Sequence, residues 1–107
     1  MSHLQWNREF ALEQTAGDEE LLEELLVLFK DASAGDLAKL RQAVAEKDAS
    51  AVVEAAHSLK GASASLGFES IRSLALEMEM DGRKDSVACA AAKLEDMAAL
   101  LAEVAKL

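Results

Sequence analysis

Apolar residues recur every three or four positions along most of this 107-residue chain, which is the spacing of amphipathic α-helices. The longest such stripe follows Asp18, a favourable helix N-cap, and extends to Glu46. Gly35 lies within the stripe, but the spacing keeps its phase on both sides, so we predict one continuous helix. The predicted inward positions are Leu22, Leu26, Phe29, Ser33, Leu37, Leu40 and Val44.

Two further stripes predict long helices in the rest of the chain. The first begins at a cap on Asp48 or Ser50 and stops at Gly67, a natural helix end. Its inward positions are Val52, Ala56, Leu59, Ser63 and Leu66. The last helix begins at Asp85 or Ser86, and its inward positions are Val87, Ala90, Leu94, Met97, Leu101 and Val104.

Two shorter helices complete the pattern. A first helix is predicted over Asn7–Thr15, where Trp6 and Phe10 would cover one end of the structure with apolar surface. A further helix is predicted over Glu69–Met80, before a turn at Gly82. Its inward positions are Ile71, Leu74, Ala75 and Met78.

These elements predict an all-α fold. Amphipathic helices joined by short connections pack side by side in opposite directions. We therefore predict an antiparallel up-down-up-down four-helix bundle with a short additional N-terminal helix. The absence of proline agrees with this fold, and the length fits a single domain over residues 1–107.

Composition narrows the choice of partners and compartment. The net charge of −9 argues against binding to nucleic acid, which depends on lysine and arginine at the phosphates. No apolar run approaches the roughly 20 residues of a membrane span, and the start of the chain lacks signal-peptide features. Cys89 is the only cysteine, so no intramolecular disulfide can form. We expect a cytoplasmic protein without membrane association, and the polar outer faces favour a monomer.

The helix that carries His57 has an unusual local composition. Within Ala55–Phe68 there is no Asp or Glu, and Lys60 is the only formal charge. Helical positions 57, 60, 61 and 64 share one face, so Lys60, Gly61 and Ala64 would lie beside the imidazole. A glycine inside a helix costs about 1 kcal/mol relative to alanine, so Gly61 indicates a need for clearance. This face suits an imidazole that accepts an anionic group and is approached closely by another protein.

Other chemistries have less support in the sequence. There is no glycine-rich phosphate loop, and no nucleophile pairs recognisably with a histidine and an orienting acid, so we expect no ATP-dependent enzyme. Glu54 and His57 have the Glu-x-x-His spacing of di-iron bundles, but the second motif is missing because the other histidine is His3. We therefore expect no metal and no cofactor. The alternative functions are a helical adaptor that carries no phosphate and, less favoured, a metal-binding bundle.

The run His57-Ser58-Leu59-Lys60-Gly61, followed by Gly67, resembles the core motif of the histidine phosphotransfer (HPt) domains of bacterial phosphorelays. It is also similar to the phosphotransfer domain at the start of chemotaxis kinases. The resemblance extends over nearly the whole chain. Its further matches are 18–29, 55–57, 66–67 and 78–79.

The resemblance implies a role for each matching residue. His57 would be the phosphoacceptor, and Lys60 would help to offset the phosphoryl charge. Gly61 and Ala64 would leave clearance for a docking receiver domain. Glu79, on the facing helix, could hold the imidazole by its other nitrogen. Gly67 would end the histidine-bearing helix.

The function implied by the resemblance is that of a phosphorelay intermediate. The imidazole would accept a phosphoryl group from a receiver-domain aspartate or a kinase and pass it to another receiver aspartate. The expected partners are receiver domains of response regulators, a hybrid sensor histidine kinase, or both. Mg²⁺ and the catalytic machinery would belong to the receiver. A patch without carboxylates would favour the phosphoryl group, and the docking surface would be apolar, with Val53, Ala64 and the first helix as candidates.

Overall fold

The computed structural model describes residues 3–107 and contains five helices, three of which have a side-chain N-cap. Asn7, Asp18 and Asp48 each accept a hydrogen bond from the backbone N–H three residues on, at 3.0–3.1 Å. The cap of the third helix is therefore Asp48 and not Ser50. The first two positions of the predicted 1–107 domain lie outside the described residues. The helices are α1 (Arg8–Gln14), α2 (Glu19–Glu46), α3 (Ala49–Leu66), α4 (Glu69–Gly82) and α5 (Ala88–Ala105).

The four long helices pack around one apolar core. α2 contacts α3 and α5, and α4 contacts the same two helices, so the four close into a ring. The short α1 lies against α2 and α3 at one end. Short connections join consecutive packed helices, as the predicted up-down-up-down arrangement requires. The prediction of an all-α fold is confirmed for the described residues, which contain one isolated bridge, Trp6 to Phe68, and no named strand.

The buried face of α2 differs slightly from the predicted stripe. Asp36 and Ala43 are buried, whereas Leu37 and Val44 are only half-buried at the edge of the core. The shift follows from contact with α3, because Ser58 donates a hydrogen bond to Asp36 across this helix pair at 2.7 Å. The short side chains of Asp36 and Ala43 thus face the neighbouring helix.

Gly82 lies inside α4, although the sequence pattern predicts a turn there. A Cβ atom at this position would stand 2.8 Å from Cγ2 of Val53 and 3.3 Å from the carbonyl oxygen of Ala49. The helix can therefore continue to Gly82 because a glycine allows α4 to approach α3 closely.

The last helix begins later than its sequence pattern predicts. Asp85 has a left-handed backbone with φ of 62°, and α5 begins at Ala88. Asp81 of α4 accepts hydrogen bonds from the Ser86 hydroxyl at 2.9 Å and from the backbone N–H of Cys89 at 3.0 Å. The carboxylate of the preceding helix thus holds the start of α5 together with the Ser86 hydroxyl, which accepts a hydrogen bond from the Ala88 N–H at 3.1 Å.

The N-terminal segment fastens the end of α3. Gly67 ends this helix in the left-handed region, with φ of 76°. Its carbonyl oxygen accepts a hydrogen bond from the Asn7 N–H, and the Trp6 indole N–H donates to the Leu66 carbonyl, both at 2.9 Å. Trp6 precedes α1 and stacks on the buried Phe68 with ring centroids 5.3 Å apart. The histidine-bearing helix is therefore fixed at its C-terminal end.

No helix within residues 3–107 has the length and apolar character that crossing a membrane would require.

Candidate functional site

His57 lies near the middle of α3 with 64% of its side chain exposed. Its Nδ1 atom is 3.3 Å from Oε2 of Glu79 on α4. A carboxylate can only accept a hydrogen bond, so this contact favours the tautomer with its proton on Nδ1. Nε2 has no hydrogen-bond partner among residues 3–107, and in this tautomer it carries the lone pair. The ring therefore combines a fixed orientation with an accessible nucleophilic nitrogen.

Glu79 is a buried carboxylate between α3 and α4, with 5% of its side chain exposed. Its Oε1 atom forms an ion pair with Nζ of Lys60 at 2.7 Å, and within the described residues it accepts no hydrogen bond of good geometry. Its Oε2 atom accepts hydrogen bonds from Arg83, from Nη2 at 2.6 Å and from Nε at 3.1 Å. Lys60 mainly, helped by Arg83 and His57, lowers the pKa of Glu79 from 4.5 to about 2, although burial acts in the opposite direction. Glu79 is thus ionised at neutral pH.

The folded site contains a carboxylate that the local sequence does not show. The segment Ala55–Phe68 has no Asp or Glu, but the packing of α4 against α3 brings Glu79 to the imidazole. Glu79 lies where the resemblance implied, 3.3 Å from Nδ1 of His57, while α3 itself contributes no carboxylate to this patch. Two cationic side chains, Lys60 and Arg83, contact the same carboxylate and offset its charge.

The residues beside the imidazole have small side chains, so little of the protein projects from the surface there. Gly61 lies one turn beyond His57, and a Cβ atom there would have no neighbour within 4 Å. Ala64 is exposed on the same helix face. Lys60 is half-buried because its ammonium turns toward Glu79. Gly67 lies roughly 15 Å farther along the helix, at about 1.5 Å per residue, and does not contact this cluster.

Arg83 is the site residue that sequence reasoning missed. The pattern assigns it to a polar turn, whereas it lies at the end of α4 and contacts Glu79 one helical turn earlier. The i, i+4 spacing of an acid and a base is a readable signal for such a pair, provided that the helix reaches this far. That extension depends on the close approach at Gly82.

The residues needed for the metal-binding alternative are not assembled. Within residues 3–107, no group of three or more His, Cys, Asp and Glu side chains is close enough to hold a metal ion. Glu54 and His57 are both exposed on α3, whereas the ligands of a di-iron bundle project into its core.

The helical bundle and its one exposed, oriented imidazole fit the class of histidine phosphotransfer domains. A family model described as Hpt domain matches residues 24–106, and the chain belongs to this family. It is thus a histidine phosphotransfer domain, an intermediate of phosphorelays.

Two solved structures resemble this fold. One is the crystal structure of histidine-containing phosphotransfer protein B (HptB) from Pseudomonas aeruginosa PAO1, with 27% sequence identity, a TM-score of 0.85, and coverage of 92% of this chain and 86% of that chain. The other is the HPT domain from the Hpt sensor hybrid histidine kinase from Shewanella, with 20% identity, a TM-score of 0.77, and coverage of 94% and 91%. The second likeness shows a shared fold. No curated protein matches the chain.

Proposed function

We propose that His57 is the phosphoacceptor and that Nε2 is the nitrogen that carries the phosphoryl group. The observation that carries the proposal is that one ring nitrogen of His57 contacts a buried carboxylate while most of the side chain is exposed. Nδ1 faces the buried Glu79 at 3.3 Å, while 64% of the side chain is open to an incoming partner. An imidazole held in this way has one nitrogen for orientation and the other for attack.

The transfer step needs no other nucleophile from this chain. The Nε2 lone pair attacks the phosphorus of an aspartyl phosphate in a receiver domain. An N–P bond forms as the P–O bond breaks, and the electron pair leaves with the receiver aspartate. The Nδ1 proton stays in place, so the ring becomes positively charged, and the carboxylate of Glu79 offsets that charge. A second receiver aspartate then attacks the phosphorus and restores the neutral ring.

Lys60 supplies positive charge on the side of the imidazole. It follows His57 by three positions, so both side chains lie on one helix face. Its flexible four-carbon stem allows the ammonium to reach a phosphoryl group on Nε2. The receiver supplies its own metal ion and catalytic groups, so this chain acts as a carrier and not as an ATP-dependent enzyme.

The docking surface for the receiver lies between α2 and α3, beside Gly61. An apolar groove there adjoins the histidine-bearing helix and contains the exposed Leu28. Ala64 and the exposed Phe10 of α1 extend this surface, whereas Val53 is half-buried against α4. Receivers bind transiently, so a small apolar contact is sufficient. The groove residues are Gln14, Leu25, Leu28, Phe29, Ala32, Ala62, Ser65 and Leu66.

The partners in this proposal are receiver domains of response regulators, a hybrid sensor histidine kinase, or both. The Shewanella domain of similar fold comes from such a hybrid kinase. A cytoplasmic monomer that binds neither nucleic acid nor membrane fits the net charge of −9 and the polar outer helix faces.

A phosphotransfer assay tests the proposal directly. The protein is incubated with phosphorylated receivers, and acid-labile, base-stable label is measured on it. Wild type should be labelled, His57→Gln should not, and the matched control His3→Gln should be labelled like wild type. Circular dichroism should show both variants folded, because His3 is exposed and a glutamine at position 57 keeps an N–H group that can donate to Glu79. Receiver binding without label in wild type would instead indicate an adaptor.

A further inference from the structure

Glu79 divides its two oxygens among three side chains in an unequal way. Oε1 is contacted by Lys60 alone within the described residues, at 2.7 Å. Oε2 receives two N–H groups of Arg83 and also faces Nδ1 of His57. Arg83 therefore holds the same oxygen that orients the imidazole, and Lys60 holds the other one.

This arrangement creates a competition when the imidazole is phosphorylated. Lys60 is bound to Glu79 in the resting site, but the dianionic phosphoryl group on Nε2 attracts the same ammonium. When Lys60 turns toward the phosphoryl group, Oε1 of the buried Glu79 loses its partner. A buried charge without a partner is strongly unfavourable, so Glu79 resists the movement unless another cation stays with it.

Arg83 is the cation that stays. Its guanidinium contacts Oε2 through both Nη2 and Nε, a planar two-point contact, and 59% of its side chain is exposed. We propose that Arg83 is a positioning residue for phosphotransfer, which keeps Glu79 ionised and in place while Lys60 turns from Glu79 to the phosphoryl group on His57. This inference rests on the proposed function of His57.

Loss of Arg83 has two consequences in this scheme. Lys60 becomes the only cation on Glu79 and is held more tightly, so it is less available to the phosphoryl group. Oε2 also loses the two N–H groups that fix it opposite Nδ1, so the tautomer with the proton on Nδ1 becomes less populated.

The experiment compares Arg83→Ala and Arg83→Lys with a control on the same helix. Arg72→Ala removes a half-buried arginine that also pairs with a glutamate on α4, Glu69, away from the imidazole. The rate of transfer from a phosphorylated receiver should fall about tenfold in Arg83→Ala, a size within the range for residues of one hydrogen-bond network. Arg83→Lys should recover most of the rate, and Arg72→Ala should match wild type.

Nitrogen NMR of the His57 ring measures its tautomer populations, which a general loss of stability would not change. The His57 ring in Arg83→Ala should show less of the tautomer protonated on Nδ1, whereas the ring in Arg72→Ala should be unchanged. Transfer rates and ring signals in Arg83→Ala equal to those of the Arg72→Ala control would overturn the role of Arg83.

A double variant separates positioning from a general structural effect. In a Glu79→Gln background there is no carboxylate charge to bind Lys60 or to be neutralised by Arg83. Adding Arg83→Ala to this background should therefore slow transfer by less than about twofold. An equal loss of rate in both backgrounds would contradict the proposal. If wild type is labelled and Arg83→Ala transfers as fast as wild type, only the role of Arg83 is contradicted. If wild type is not labelled, the proposed function itself is contradicted.

Discussion

Nζ of Lys60 lies 2.7 Å from Oε1 of Glu79, and this contact joins the histidine-bearing helix to the helix that faces it. The carboxylate is buried, so the pair matters for folding as well as for the charge beside the imidazole. Lys60 therefore binds the Glu79 carboxylate in the resting protein, and in the proposed function it also binds the phosphoryl group on His57.

Lys60→Ala should destabilise the fold as well as slow phosphotransfer. Removing the ammonium takes away the ion pair of the buried Oε1 of Glu79, which should cost about 2 kcal/mol because Arg83 still contacts the other oxygen. Urea unfolding of Lys60→Ala, with the exposed Lys39→Ala as control, measures this cost. Adding Glu79→Gln should restore stability but not the transfer rate. An unchanged unfolding midpoint in Lys60→Ala would mean that the ion pair contributes nothing.

Gly61→Gln should block the receiver without harming the bundle. Nothing lies within 4 Å of a Cβ at this position, so the side chain fits, and the helix should gain up to about 1 kcal/mol. The glutamine then occupies the clearance beside His57. Transfer from a receiver should fall sharply, while labelling by the small donor phosphoramidate continues. Ala102→Gln, at an exposed position of α5, is the control and should transfer normally. Undiminished transfer in Gly61→Gln would refute the clearance argument.

Acid should weaken the fold through Glu79. The folded protein holds the pKa of this carboxyl at about 2, against 4.5 for an ordinary glutamate, mainly through Lys60. Because the folded pKa is the lower one, the unfolded chain binds the proton first as the pH falls. The stabilisation is therefore complete above about pH 4.5 and is lost on the way down to about pH 2, which amounts to something on the order of 3 kcal/mol.

Urea unfolding across this pH window tests the linkage. Glu79→Gln should show a clearly shallower loss of stability in acid than wild type. Glu95→Gln removes an exposed carboxylate that pairs with Arg41 on the surface, and it should follow the wild-type curve closely. Parallel curves for wild type and Glu79→Gln would exclude Glu79 as the source of the acid sensitivity.

Two helical glycines should respond to alanine in opposite directions. Gly82→Ala brings a Cβ to 2.8 Å from Val53, so it should destabilise the protein by about 1–3 kcal/mol. Gly35→Ala meets nothing within 4 Å and should stabilise by roughly 0.5–1 kcal/mol. Thermal unfolding of both variants measures the difference. A stable Gly82→Ala variant would show that α4 can move away from α3 at no cost.

Much of the fold could be predicted because its signals are local. The stripe from Leu22 to Leu40 and the carboxylate of Asp18 fixed the bounds of α2, since apolar spacing and capping depend only on neighbours along the chain. The start of α5 could not be predicted in this way. Asp81, the residue that caps it, belongs to the preceding helix and reaches it only in the folded bundle.

The sequence by itself determined the all-α class, the exposure of His57 on one helix face and, through the motif around it, the family. Only the tertiary structure decided that Arg83 shares a carboxylate oxygen with the imidazole, that Lys60 is bound by Glu79, and that α4 approaches α3 closely at Gly82. The physical reason is that helical periodicity gives the direction of each side chain but not the distance between helices. The distance between two helices decides which of their charged side chains come into contact.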